Sequence, residues 1–90
     1  MKVIFFEVKE WEEPILKREL KSHSLKFVNS SLTLDNADKA EDSDAVSTFI
    51  GSKIDEKVLD KLTKLKLIVT RSTGFDHIDI GECKKRKITV

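Results

Sequence analysis

The apolar positions of this chain fall into short clusters whose spacing alternates between strand-like and helix-like. Val3 to Val8 is a nearly continuous apolar run with Glu7 near its end, which predicts a central strand covered on both faces. Pro14 follows two glutamates, a favoured first-turn setting, and Ile15, Leu16 and Leu20 share one face of the helix expected there. Leu25-Lys26-Phe27-Val28 predicts a second strand, placed nearer an edge by the lysine. Leu34 to Asp42 is acidic and alanine-containing, and predicts a short, poorly anchored helix. Ala45 to Ile50 predicts a third strand, closed by Gly51.

The second half carries clearer punctuation. Asp55 is placed as an N-cap, and Ile54 before it can reach Leu59 in a hydrophobic staple. Val58, Leu59 and Leu62 form the buried stripe of that helix. Leu65 to Thr70 predicts a fourth strand. Asp79 repeats the cap, with Glu82 three residues on and Ile78 and Cys83 in the staple positions. Ile88-Thr89-Val90 begins a fifth strand.

Strands therefore alternate with helices through short connections, the pattern of a parallel sheet with helices on both faces. Five strands in this rhythm predict an α/β, doubly wound, flavodoxin-like sheet of order 2-1-3-4-5. The closing helix of such a sheet is not encoded in these 90 residues, which raises the expectation of a single-domain fragment, residues 1–90.

Composition narrows the classes without choosing among them. Ninety residues allow one domain that buries roughly two-thirds of its unfolded surface. Apolar content of 39% against 37% charged residues predicts a thin core under a heavily charged surface. A formal net charge of +1 implies no global attraction to nucleic acid or to a membrane. The single cysteine, Cys83, excludes an internal disulfide and suits a reducing, cytoplasmic compartment. No apolar run approaches the roughly 18 residues that span a bilayer.

Several chemistries are disfavoured. The exit of the first strand, Lys9-Glu10-Trp11-Glu12-Glu13, is acidic and lacks the small residues through which backbone N–H groups approach a phosphate. A phospho-acceptor receiver domain needs carboxylates after strands 1 and 3, and strand 3 leaves through Phe49-Ile50-Gly51-Ser52. The three glycines lie far apart, so no dinucleotide fingerprint exists. His23, His77 and Cys83 have no metal-ligand spacing, and the histidines are expected at the surface or in caps. Asp76, Asp79 and Glu82 suit helix capping and dipole complementation better than acid/base work. The tetrad Lys84-Lys85-Arg86-Lys87 suits the negative end of a helix dipole better than nucleic acid. Trp11, beside a helix start, is expected to cover the sheet edge rather than to stack on a ligand.

The most informative segment is the end of the fourth strand, Thr70-Arg71-Ser72-Thr73-Gly74-Phe75. Gly74 can take a positive φ, which lets successive N–H groups converge on an anion, and Arg71, Ser72 and Thr73 add donors. Such a turn suits a small carboxylate. An ordinary strand-to-helix turn remains the alternative reading of the same residues.

The run Leu65-Lys66-Leu67-Ile68-Val69-Thr70-Arg71-Ser72-Thr73-Gly74-Phe75-Asp76-His77-Ile78-Asp79 resembles the end of the first domain of the D-2-hydroxyacid dehydrogenases, nearest the D-lactate dehydrogenase branch. The starting strand, the Phe49-Ile50-Gly51 exit and the helix at Val58 to Leu62 are similar to that family too, so the resemblance covers essentially the whole chain. It implies a substrate-binding domain of an NAD-dependent oxidoreductase that interconverts 2-keto acids and D-2-hydroxy acids. It further implies that backbone N–H groups at Thr73 and Gly74 hold the substrate carboxylate, and that Phe49 and Ile50 line the pocket for its side chain. The family's catalytic arginine, glutamate and histidine and its glycine-rich NAD loop belong to later sequence. This chain is therefore expected to hold no catalytic, cofactor-binding or metal-binding residue, and to be inactive alone.

Two positions depart from the family pattern. Lys87 stands where a glycine commonly provides a left-handed residue before the fifth strand. Gly81 lies early in the last helix, at a cost of up to ~1 kcal/mol in helix propensity. Beside the missing closing helix, these raise the expectation of an engineered, excised domain. The competing expectation, from a different class, is a stand-alone flavodoxin-like scaffold that self-associates through an open sheet face as a homo-oligomer, with no nucleic-acid or membrane partner.

Overall fold

The computed structural model describes residues 1–49, 51–71 and 77–90. In chain order the elements are β1 (Lys2–Phe6), α1 (Glu12–Glu19), β2 (Ser24–Val28), a 3-10 turn (Ala37–Ala40), β3 (Ala45–Thr48), α2 (Glu56–Lys61), β4 (Leu67–Thr70) and α3 (Ile80–Lys85). The strands form one parallel sheet of order β2-β1-β3-β4. The predicted fifth strand takes its expected place beside β4 as a single parallel bridge between Leu67 and Thr89. Ile68 N donates to Thr89 O at 2.8 Å and Thr89 N to Lys66 O at 3.0 Å. Lys26 does mark an edge, since β2 has one neighbour only.

Side chains alternate across the sheet, and the two faces are covered unequally. Ile4, Phe6, Val46 and Ile68 point into the main core, where α2, α3 and the 3-10 turn bring Leu32, Ala37, Ala40, Ile54, Val58, Leu59, Leu62, Ile78, Cys83 and Ile88. Both predicted caps form: Asp55 Oδ1 accepts from Val58 N at 3.1 Å, and Asp79 Oδ1 from Glu82 N at 3.0 Å. The staple residues Ile54, Leu59, Ile78 and Cys83 are all buried in this core. An isolated parallel bridge between Ile54 and Ile78 locks the two helix starts together.

The opposite face carries only α1, which buries no residue fully and leaves Ile15 exposed. Under it, Phe5 and Phe27 stack with ring centroids 5.6 Å apart, and Lys17 Nζ sits 5.7 Å from the centre of the Phe27 ring. Farther along, an apolar groove of about 230 Å³ runs over Val3, Phe5, Leu20, Leu67 and Val69. Val69 is 46% exposed there. The even two-sided cover expected for a doubly wound sheet is thus absent from this face among the described residues.

Three element boundaries differ from the sequence pattern. β1 stops at Phe6 because Glu7 adopts a left-handed backbone with φ of 57°. β3 stops at Thr48, and Ile50 lies outside the described residues. The segment predicted as a helix from Leu34 to Asp42 makes only the short 3-10 turn. The Asn36 carboxamide accepts from Thr33 N and donates to Ser31 O, both at 2.8 Å, a local closure that competes with helix. The turn is nonetheless anchored, because Ala37 and Ala40 are fully buried.

α3 ends in a Schellman motif: Ile88 N donates to Cys83 O at 2.9 Å and Lys87 N to Lys84 O at 3.2 Å. Lys87 takes the left-handed conformation there, φ 59°, at the position where the resembling family commonly has glycine. Replacing it with glycine, Lys87→Gly, should stabilise the fold by about 1 kcal/mol by removing the Cβ–carbonyl crowding of that conformation. At Gly81 an added Cβ would meet nothing closer than Asp79 Oδ1 at 3.6 Å. Gly81→Ala should therefore add roughly 0.5–1 kcal/mol through helix propensity. Urea denaturation checks both: each midpoint should rise with an unchanged slope, and a lowered midpoint for either would contradict the backbone assignment.

Candidate functional site at the carboxyl edge of the sheet

All four strands leave the sheet at one edge, and the winding direction reverses between β1 and β3. Ligands of open α/β sheets collect at this point, because diverging connections leave a crevice. Here the crevice is organised by Glu7, immediately after β1. Its carboxylate accepts from Phe49 N at 2.9 Å, from Gly51 N at 2.8 Å and from the Ser52 hydroxyl at 2.6 Å. Ser52 is itself buried and its Oγ accepts from Leu32 N at 2.8 Å. Glu7 N donates to Ser30 O at 3.0 Å, so the β1, β2 and β3 exits are tied at one residue.

Burial pushes the Glu7 carboxyl pKa up. The Ser52 hydroxyl and the backbone N–H groups of Phe49, Gly51 and Ser52 outweigh that effect and hold it below the ordinary glutamate value. Gly51 is needed for this approach, since a Cβ there would lie 2.5 Å from Glu7 Oε1 and 2.7 Å from Ser31 Oγ.

Arg71 closes the other side. Its guanidinium turns back over the sheet edge, donating to Phe6 O and pairing with Glu12 Oε2 at 3.6 Å. Glu12 Oε1 in turn accepts from Lys9 N at 2.9 Å, which folds the β1 exit onto the arginine. The Nε of Arg71 is buried without a hydrogen-bond partner among the described residues. Between these groups lies a cleft of about 240 Å³ lined by Glu7, Lys9, Trp11, Glu12, Phe49 and Arg71.

Beside it, His77 Nε2 stands 3.4 Å from Thr48 Oγ1 and 3.5 Å from Thr70 Oγ1, spanning the ends of β3 and β4. His77 also lines a separate cavity of about 350 Å³ with Lys53, Ile54, Asp55, Ile78 and Asp79.

Of the residues expected to bind substrate, Phe49 is at the cleft wall and 42% exposed, available to a ligand. Thr73, Gly74 and Ile50 lie outside the described residues, as do Ser72, Phe75 and Asp76. The structure does bring the two flanks of the β4 exit, Arg71 and His77, to the same edge as Phe49. Arg71 was expected to add donors to the carboxylate turn; its guanidinium is instead engaged by Phe6 O and Glu12. Trp11 was expected to cover the sheet edge, but it is 66% exposed and stands as an aromatic wall of the cleft. His77, expected at the surface or in a cap, is half-buried between two threonines.

The basic tetrad keeps its structural role. Lys84 and Lys85 sit in the last turn of α3, and Arg86 joins α3 to α2 through Asp60 at 2.6 Å and Glu82 at 3.0 Å. No group of three potential metal ligands occurs among the described residues, and none of their helices is long and apolar enough to cross a membrane.

Sequence reasoning passed over Glu7 and Ser52. The signal was present in principle: a carboxylate ending an apolar strand, and a Gly-Ser pair ending the strand predicted to lie next to it.

Residues 3–90 match the family of D-isomer specific 2-hydroxyacid dehydrogenases, in its catalytic domain. A 2-hydroxyacid dehydrogenase homolog of Zymomonas mobilis is 33% identical over 94 aligned residues, which cover 100% of this chain and 28% of that protein. A D-lactate dehydrogenase of Staphylococcus epidermidis is 30% identical over 93 residues, 99% of this chain and 28% of that one. Among solved structures, the Aquifex aeolicus D-lactate dehydrogenase complexed with NAD and lactic acid superimposes with a TM-score of 0.88 at 35% identity, over 98% of this chain and 27% of that chain. The chain thus spans less than a third of the length of these relatives. Fold and sequence agree, and the chain belongs to the D-isomer specific 2-hydroxyacid dehydrogenase family.

Proposed function

We propose that this chain is the substrate-binding part of an NAD-dependent dehydrogenase of D-lactate type, acting in the cytoplasm on a small 2-keto acid. The observation that carries the reading is the family match along residues 3–90 by a chain less than a third as long as its relatives. In the reaction, a 2-keto acid, NADH and a proton give a D-2-hydroxy acid and NAD⁺. The backbone N–H groups of Thr73 and Gly74 hold the substrate carboxylate at the β4 exit. Phe49 and Ile50, at the β3 exit, bound the substrate's side chain. Hydride transfer also needs a positioned nicotinamide and an acid/base group, and both come from sequence outside these 90 residues. The domain therefore binds and orients, and residues 1–90 form one substrate domain.

A second reading is favoured by one observation, the apolar groove over Val3, Phe5, Leu67 and Val69. A scaffold module could bury that face by pairing with another copy of itself, in line with the cover parallel sheets require.

Two experiments separate the readings. The 90-residue chain should not oxidise NADH in the presence of pyruvate. Joined to the cofactor-binding remainder of the Aquifex enzyme, it should restore pyruvate-dependent NADH oxidation. Turnover by the chain alone, or a folded, NADH-binding chimera without turnover, would contradict the proposed division of labour. Sedimentation velocity at several concentrations addresses the scaffold: a monomer throughout would remove its support.

A further inference from the structure

We propose that Glu7 is a positioning residue for the substrate cleft: its carboxylate, seated in the N–H and hydroxyl donors of Phe49, Gly51 and Ser52, holds the β3 exit and thereby the Phe49 wall. Three features of the chain converge on this role. The carboxylate makes three hydrogen bonds of 2.6–2.9 Å to one short loop, an arrangement otherwise typical of a bound anion. Glu7 holds a left-handed backbone, φ 57°, a conformation unfavourable for a long side chain and retained where the surroundings over-determine it. Gly51 leaves the space that the carboxylate occupies, since any Cβ would collide with it. The donor nest at the β3 exit is thus filled by the protein's own anion, and the ligand is left with the cleft beyond it.

Other charged groups face the same cleft. Lys9 follows in the β1 exit, Glu12 opens α1, and Arg71 ends β4 and pairs with Glu12. None of them contacts the Glu7 carboxylate through a described hydrogen bond, so Glu7 titrates against the β3 loop. Because the folded carboxyl is held below its ordinary value, the tie is complete above the unfolded value of about 4.3 and is lost as pH falls through the lower folded one. At neutral pH the carboxylate is therefore ionised and able to accept all three hydrogen bonds of this lock.

The consequence for substrate rests on the dehydrogenase reading, whereas the lock itself does not, and the test has an arm for each. In ¹⁵N-labelled 90-residue chain, the amide protons of Phe49 and Gly51 should resonate downfield and move together with one apparent pKa below that of an ordinary glutamate. Glu7→Gln should abolish that movement while the rest of the spectrum stays dispersed. If that variant does not fold, Ser52→Ala should shift the same titration upward by removing the shortest donor. Amides that stay flat through the Glu7 titration, or titrate alike in Glu7→Gln, overturn the lock. In the chimera, Glu7→Gln should raise KM for pyruvate roughly tenfold while kcat changes less than about threefold, the signature of lost positioning in the ground state. Unchanged KM, or a fall in kcat alone, overturns the positioning role. An inactive wild-type chimera would refute the dehydrogenase reading, and the cleft assignment with it, and the amide titration would still decide the lock.

Discussion

The carboxyl edge of this sheet depends on one carboxylate. Parallel strands deliver their exits side by side, but nothing in the sheet ladder fixes the loops beyond it. Glu7 supplies that constraint, reaching from the end of β1 to the backbone of Phe49 and Gly51 and to the Ser52 hydroxyl. Ser52 passes the constraint on to Leu32 N, and Glu7 N to Ser30 O, so the loop after β2 is held by the same centre. Charge-assisted hydrogen bonds of this kind are about twice as strong as neutral ones. They offset the desolvation of a partly buried acid and the strain of its backbone.

With the β3 exit fixed, the remaining geometry of the cleft follows from Arg71. A guanidinium at the end of β4 would be free to meet a substrate carboxylate, yet here it is bound to Phe6 O and Glu12. It acts as a strut between β4 and the β1 exit. The aromatic side chains of Trp11 and Phe49 line the same cleft and are both exposed.

Much of the frame was legible because it is written in local, repeated signals. Asp55 and Asp79 precede helices and cap them, Ile54 and Ile78 staple them, and Lys26 marks the edge strand. Lys87 stood out only against the glycine that the resembling family commonly has there, and the structure gives it the left-handed backbone that such a glycine would take. What stayed hidden depends on contacts between distant segments. Glu7 reads as the tail of a strand until Gly51 and Ser52 are brought beside it from 44 and 45 residues away. Trp11, beside a helix start, reads as cover for the sheet edge, and only the three-dimensional arrangement shows that it lines the cleft. The 3-10 turn was misjudged because Asn36 closes its own local ring before a helix can propagate.

The central claim is that the Glu7 carboxylate holds the backbone N–H groups of Phe49 and Gly51 as firmly as the sheet holds those of β3. Native-state hydrogen exchange on the 90-residue chain tests it most directly. The amides of Phe49 and Gly51 should be protected to the same degree as those of Val46 and Thr48 in β3, and lose that protection in Glu7→Gln while β3 retains it. Exchange of the Phe49 and Gly51 amides at the rate of an open loop in the unaltered chain would contradict the account.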